Sequence, residues 1–185
     1  VWAVSLPVQQ HQPVPHPEGV SEEEFRGALA RLAAGVVLVT AHDEEDGPRG
    51  AAAGMTATAF LSVSLDPPLV LVSVRTGSRM DEVLERQPLW AASLLGEEGR
   101  TTAGRFAMAG RLSDRLLFQD LPHTLGEITG APLVTGALAT VECRTEQRVE
   151  AGDHTLLIAR VLAATVPATG EGPLLYYRGS YRRLG

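Results

Sequence analysis

Between Gly54 and Val70 the chain reads GMTATAFLSVSLDPPLV. Met55, Ala57, Ala59, Leu61, Val63 and Leu65 fall on every second position, with Thr56, Thr58, Ser62 and Ser64 between them. Only Phe60 breaks the second set. A period of two predicts a β-strand with one buried side. The polar side is unusual, because residues 51–65 contain no charged residue. A water-facing strand normally carries some, so small hydroxyls alone raise the question of what lies against them.

The same patterning places the other elements. Ser21 followed by Glu24 is a capping box, and Phe25, Leu29 and Leu32 recur at helical spacing, which predicts a helix over 22–34. VVLVTA (36–41) reads as a strand, HDEEDGPRG (42–50) as a solvated turn, and LVLVSV (69–74) as a central strand after the Asp66-Pro67-Pro68 turn. SRMDEVLER (78–86) is a helix capped by Ser78, and LWAASLL (89–95) a further strand. Residues 97–106 form a weak helix, since Gly99 and Gly104 disfavour it, and 107–132 read as irregular. ALATVECRTEQRVE (137–150) and HTLLIARVLAATV (154–166) are long strands around an Ala151-Gly152-Asp153 hairpin turn, and a last strand covers about 174–178. Residues 1–20 hold four prolines without periodicity and read as a disordered arm, leaving one folded domain over 21–185. Many strands with few short helices predict a mainly β, antiparallel barrel or sandwich.

Composition narrows the partners. The net charge of −6 argues against general nucleic-acid binding. All basic residues are arginine, consistent with the codon bias of a GC-rich genome. The single cysteine, Cys143, forms no disulfide within the chain, which fits a reducing cytoplasm. No apolar run approaches the ~20 residues of a membrane helix, and the N-terminus has no signal-peptide pattern. His11 and His16 lack companions at metal-ligand spacing, so no metal is expected.

Three features carry candidate chemistry. The Thr/Ser face beside Gly54 gives a flat ligand hydroxyls and close access to backbone. Arg75-Thr76-Gly77-Ser78-Arg79 opens a helix, where free N–H groups and two arginines suit a phosphate, although Asp81 and Glu82 compete for the same field. Arg105-Phe106 adds a guanidinium and an aromatic edge. Each feature also has a plain structural reading as half-buried strand or capped helix. There is no GxGxxG before a helix, GxxxxGK[ST], GxSxG or CxxC. His154, at a strand start beside Asp153, is the candidate catalytic histidine and equally a simple turn residue. Hydride transfer fits this scarcity of motifs, because the cofactor performs that chemistry.

The segments LAAGVVLVTA (32–41), GMTATAFLSVSLDPPLVLVSV (54–74), SRM (78–80), RFA (105–107), GAPLVTGALATVEC (130–143), AGDHTLLIARV (151–161) and PLLYYRGSYRRL (173–184) together resemble the flavin reductase-like family of FMN-binding split barrels. These proteins are the reductase components of two-component flavin monooxygenases. The resemblance implies an antiparallel six-stranded split β-barrel with peripheral helices, working as a homodimer. It implies hydride transfer from NADH or NADPH to FMN or FAD, and supply of reduced flavin to a partner monooxygenase. By the same resemblance, flavin lies along Ala53, Gly54, Met55, Thr56, Thr58 and Ala59. Ser73, Val74, Arg75, Arg79 and Met80 line its phosphate region, and Arg105 and Phe106 close another side. Tyr176, Tyr177, Arg178 and Gly179 meet the nicotinamide nucleotide, and His154 lies where the nicotinamide stacks. One departure is Asp114-Arg115-Leu116, with Phe118 after it, where the family often has Asp-Lys-Phe. Two alternatives stay open: a tight FMN carrier or sensor, and a split-barrel oxidase using another substrate. The ending YYRGSYRRL favours the reductase.

Overall fold

A computed structural model describes residues 19–43, 51–108, 113–168 and 170–184. Most of the proline-rich arm and of the acidic 42–50 turn lies outside the described residues. The chain runs α1 (Glu22–Leu29), β1 (Ala34–Gly35), β2 (Val37–Asp43), β3 (Ala51–Ala57), β4 (Phe60–Leu65), β5 (Pro68–Arg75), α2 (Arg79–Arg86), β6 (Leu89–Leu94) and α3 (Arg100–Ala107). It continues through α4 (Asp114–Gln119), β7 (His123–Leu125), β8 (Pro132–Val134), β9 (Ala139–Ala151), β10 (His154–Thr165), β11 (Leu175–Tyr177) and β12 (Ser180–Arg182). Among the described residues, no helix is long and apolar enough to cross a membrane.

The main sheet is antiparallel, in the order β3-β2-β6-β9-β10-β5-β4. It has seven strands where six were expected. Its two edges, β3 and β4, are consecutive in the chain and joined only by Thr58 and Ala59. So short a link spans at most ~11 Å, and it draws opposite edges of the sheet together at one end. Ser73 N–H donates to Ala59 C=O there (3.1 Å). No ladder joins β3 to β4, so the barrel is split rather than closed.

The interior is filled from all sides by Val37, Val39, Val72, Val74, Trp90 and Leu157, with Met80, Val83 and Leu84 of α2 packed among them. Trp90 satisfies its indole N–H on Thr145 Oγ1 (2.9 Å). The other face of β2 and β3 is covered by α3 and α4, through Leu38, Ala103, Phe106, Leu117 and Phe118. β2 is therefore buried on both faces, which explains its continuous apolar run.

Two patterns resolve differently from expectation. The alternating stretch is two strands, and the corner at Thr58–Ala59 reverses its phase. Phe60, which interrupted the polar face, packs on the interior, whereas Leu61, Val63 and Leu65 are exposed (51%, 47% and 94%). The first helix has the predicted capping box between Ser21 and Glu24, but ends at Leu29 and buries none of its residues.

Candidate active site

The uncharged face of β3 is roofed by helices. A Cβ built on Gly54 would lie 2.9 Å from Phe106 Cε1 and Phe118 Cζ, whose rings pack edge-to-face at 5.0 Å. Glycine is required there because two aromatic rings rest on the backbone. Thr56 Oγ1 donates to Ala103 C=O (2.7 Å) and ties the strand to α3. Past this tie the roof ends. A cavity of about 420 Å³ opens, lined by Thr56 and Thr58 on the strand and by Gly104, Ala107 and Met108 on the α3 side. That volume lies within the ~300–1,000 Å³ of small-molecule sites.

The third wall is the β11–β12 hairpin, which contributes Tyr176, Gly179 and Tyr181. Tyr177 pairs with Ser180, so the turn is Arg178-Gly179, with φ of 49° and 73°. Two central residues with positive φ match a type I′ turn. Gly179 adopts that conformation freely and Arg178 does not. Arg178 N–H donates to Ala30 C=O (2.9 Å), and its guanidinium lies 5.4 Å from the centre of the Tyr177 ring. The Tyr176 and Tyr181 rings meet edge-to-face at 5.4 Å, and burial, followed by the charge of Tyr176, raises the Tyr181 phenol.

His154 opens β10, opposite Arg75 on β5. The tight Gly152-Asp153 turn, with Gly152 at φ 65°, puts Asp153 Oδ1 2.8 Å from His154 Nδ1. The carboxylate only accepts, so Nδ1 carries the proton and Nε2 is the atom left to meet a ligand. The hydrogen bond from His154 is the main reason that the Asp153 carboxyl is held below the usual range. In the sheet register Leu156 faces Ser73, two residues in from His154 and Arg75, and Ser73 bonds to Ala59 beside Thr58.

The expected residues therefore separate. Thr56, Thr58, Tyr176 and Gly179 share the cavity. Ala59, Ser73, Arg75 and His154 line the adjoining sheet end. Ala53, Val74, Met80 and Phe106 are buried core side chains and Met55 packs against that core, so any ligand contact from them passes through backbone. Arg105 is half-buried on α3. The helix start at 77–81 is already filled: Asp81 accepts from Gly77 N–H (2.9 Å) and from Arg148 (2.7 Å). Arg79 is 2.7 Å from Asp43, which also takes Arg86. A phosphate there would have to displace both arrangements. Sequence reasoning missed Gly104, Ala107, Met108 and Tyr181 as cavity residues. The signals for two of them were present, as a glycine inside a helical segment and a third tyrosine, in GSYRRL.

Residues 29–185 match the flavin reductase like domain. The chain belongs to this family. It is 38% identical over 159 residues to the NADH-dependent flavin reductase StyB of Pseudomonas fluorescens, covering 85% of this chain and 86% of that protein. It is 39% identical over 162 residues to the NADH-dependent FAD reductase of Streptomyces globisporus, covering 87% and 85%. Among solved structures it resembles the styrene monooxygenase flavin reductase of Pseudomonas putida S12, with a TM-score of 0.75 and 37% identity over 88% of this chain and 97% of that one. A Streptomyces globisporus NADH:FAD oxidoreductase solved with NAD and FAD fragments aligns with a TM-score of 0.79 and 32% identity over 91% and 98%. The cavity has the chemistry to take a flavin: it offers the Thr56 and Thr58 hydroxyls, the Tyr176–Tyr181 aromatic pair and an α3 side made of Gly104, Ala107 and Met108.

Proposed function

We propose that this flavin reductase-like chain reduces FMN or FAD with NADH and releases the reduced flavin to a partner monooxygenase. The observation that carries this reading is similarity along nearly the whole chain to NADH-dependent flavin reductases, joined to a cavity of suitable size and chemistry at the strand that resembles the family's flavin segment. The bound flavin supplies the ring that accepts a hydride, and the reduced nicotinamide donates it. The protein's work is alignment, which requires reacting atoms at ~3–3.5 Å. Thr56 and Thr58 offer hydroxyls to the polar ring edge. Tyr176 and Tyr181 give the ring an aromatic wall. His154, oriented by Asp153, presents Nε2 to the nicotinamide side.

Arg178 meets the phosphates of the nucleotide. Its positive φ supports that role, because strained backbone at a turn that suits Asn or Gly clusters at ligand-binding sites. Arg178→Asn is expected to leave the fold at least as stable, because Asn tolerates the left-handed region better than Arg, and to raise KM for NADH several-fold with little change in kcat. An unchanged KM in steady-state assays counts against the contact.

The unit is a homodimer of one domain, 21–185, preceded by the arm, and works in the cytoplasm. The single cysteine supports a reducing compartment: Cys143 is buried, and burial above all pushes its thiol up to about 12. Dimerisation accounts for apolar residues with no cover, namely Phe25 and Leu29 on α1 and Leu61, Val63 and Leu65 on edge strand β4. Leu61→Glu is expected to halve the mass read by light scattering after gel filtration. A monomeric parent protein would refute the dimer.

The deciding experiment follows nicotinamide absorbance with NADH or NADPH, on flavin-free protein, with FMN, FAD or neither added. Turnover that saturates in free flavin is the expected result. Flavin binding without turnover by either nucleotide would favour a carrier.

A further inference from the structure

Gly104 lies inside α3, where glycine is the least favourable residue after proline. The fold gives no packing reason for it. A Cβ built there meets no heavy atom within 4 Å, in contrast to the crowded Gly54. Its φ is not positive, so the backbone accepts alanine without strain. The helix has no side-chain cap at its N-terminus to offset the loss. What distinguishes position 104 is its place on the cavity wall, which it shares with Thr56, Thr58, Tyr176 and Tyr181.

We propose that Gly104 is a flavin-contact residue: the planar ring lies face-on against the bare backbone of α3, and the missing Cβ sets the width of the cleft. This rests on the flavin reductase reading and adds a width-determining position to it. A ring packed on a helix backbone reaches ordinary van der Waals contact only where no side chain stands between them. A methyl at 104 would occupy that contact layer and push the ring away from the threonine hydroxyls, so binding weakens although the protein itself loses nothing.

The test is Gly104→Ala and Gly104→Leu, both good helix formers, with Gly27→Ala as control. Gly27 also lies inside a helix, α1, with nothing within 4 Å of an added Cβ, and does not line the cavity. Flavin Kd is read by fluorescence titration with FMN and with FAD, without nucleotide, and melting temperature by calorimetry. Both alanine variants are expected to gain about 2–4 °C. Only the position 104 variants should lose affinity, about 10-fold for alanine and beyond detection for leucine. Gly104→Ala or Gly104→Leu binding flavin as tightly as the parent overturns the proposal while leaving the reductase reading intact. A parent protein that binds neither flavin overturns both.

Discussion

His154→Ala is expected to lower kcat with NADH by roughly 10²-fold while flavin Kd changes less than about 3-fold. The magnitude is that of losing near-attack alignment, since a misplacement of about 1 Å can cost ~10²-fold. The histidine has the marks of an oriented group. It begins β10 at the end of the barrel that adjoins the cavity strand, and Asp153 fixes its Nδ1 proton at 2.8 Å. Asp153→Asn should therefore give a smaller loss in the same parameter, because the amide oxygen can still accept from Nδ1 and hold the ring. The native pair should also persist into mild acid, since the Asp153 carboxyl sits below its ordinary range and is lost only as pH falls through that lowered value. Steady-state kinetics beside flavin titration separate the two effects. Comparable losses in kcat and flavin affinity would return His154 to the status of a turn residue.

The second large effect concerns stability. Glu142 is a buried acid on β9 whose Oε2 accepts from Ile128 N–H (3.0 Å), Thr129 N–H (2.7 Å) and Thr129 Oγ1 (2.7 Å). The 126–131 turn wraps so closely around it that a Cβ on Gly126 would collide with Oε2. This turn joins β7 to β8, whose Pro132 C=O accepts from buried Thr40 Oγ1 and whose Val134 N–H donates to Ser93. Glu142→Ala leaves two backbone N–H groups and a hydroxyl without their acceptor, at about 1–3 kcal/mol for each group left unsatisfied. Partial rescue by water lowers the sum, and a loss of about 3–5 kcal/mol is expected. Denaturant titration should show a lower midpoint at unchanged slope, with Glu142→Gln intermediate. A loss under about 1 kcal/mol for the alanine variant would mean that the turn is not organised by this side chain.

Much of the barrel was legible because strands announce themselves locally. LVLVSV, ALATVECRTEQRVE and HTLLIARVLAATV lie within a residue or two of β5, β9 and β10, and Ser21 and Ser78 cap the helices they were expected to cap. Short elements were not legible. α4 and β7, inside the 107–132 stretch that reads as irregular, have six and three residues, too few for a period to stand out, and are held by contacts with β3 and β8 rather than by propensity. The phase reversal at Thr58–Ala59 was invisible for a related reason. Alternation reports that a strand has two faces, and it cannot report a corner that exchanges them.

For the site, the sequence by itself determined the chemical inventory and, through the ordered motifs, the family. It supplied the hydroxyl-bearing strand, the Gly-Asp-His turn and the Tyr-Tyr-Arg-Gly hairpin. Only the tertiary structure decided which of these meet. It committed Arg79 to Asp43, filled the α2 N-terminus with Asp81, sank Val74 and Met80 in the core, and brought Thr56, Gly104 and Tyr181 to one cavity. The physical reason is range. Capping, turn and strand preferences act over a few residues and are written in the local pattern. The partners of a charge or a glycine are set by packing between segments far apart in the chain, as Thr56 on Ala103 and Arg148 on Asp81 show, and no local pattern encodes them.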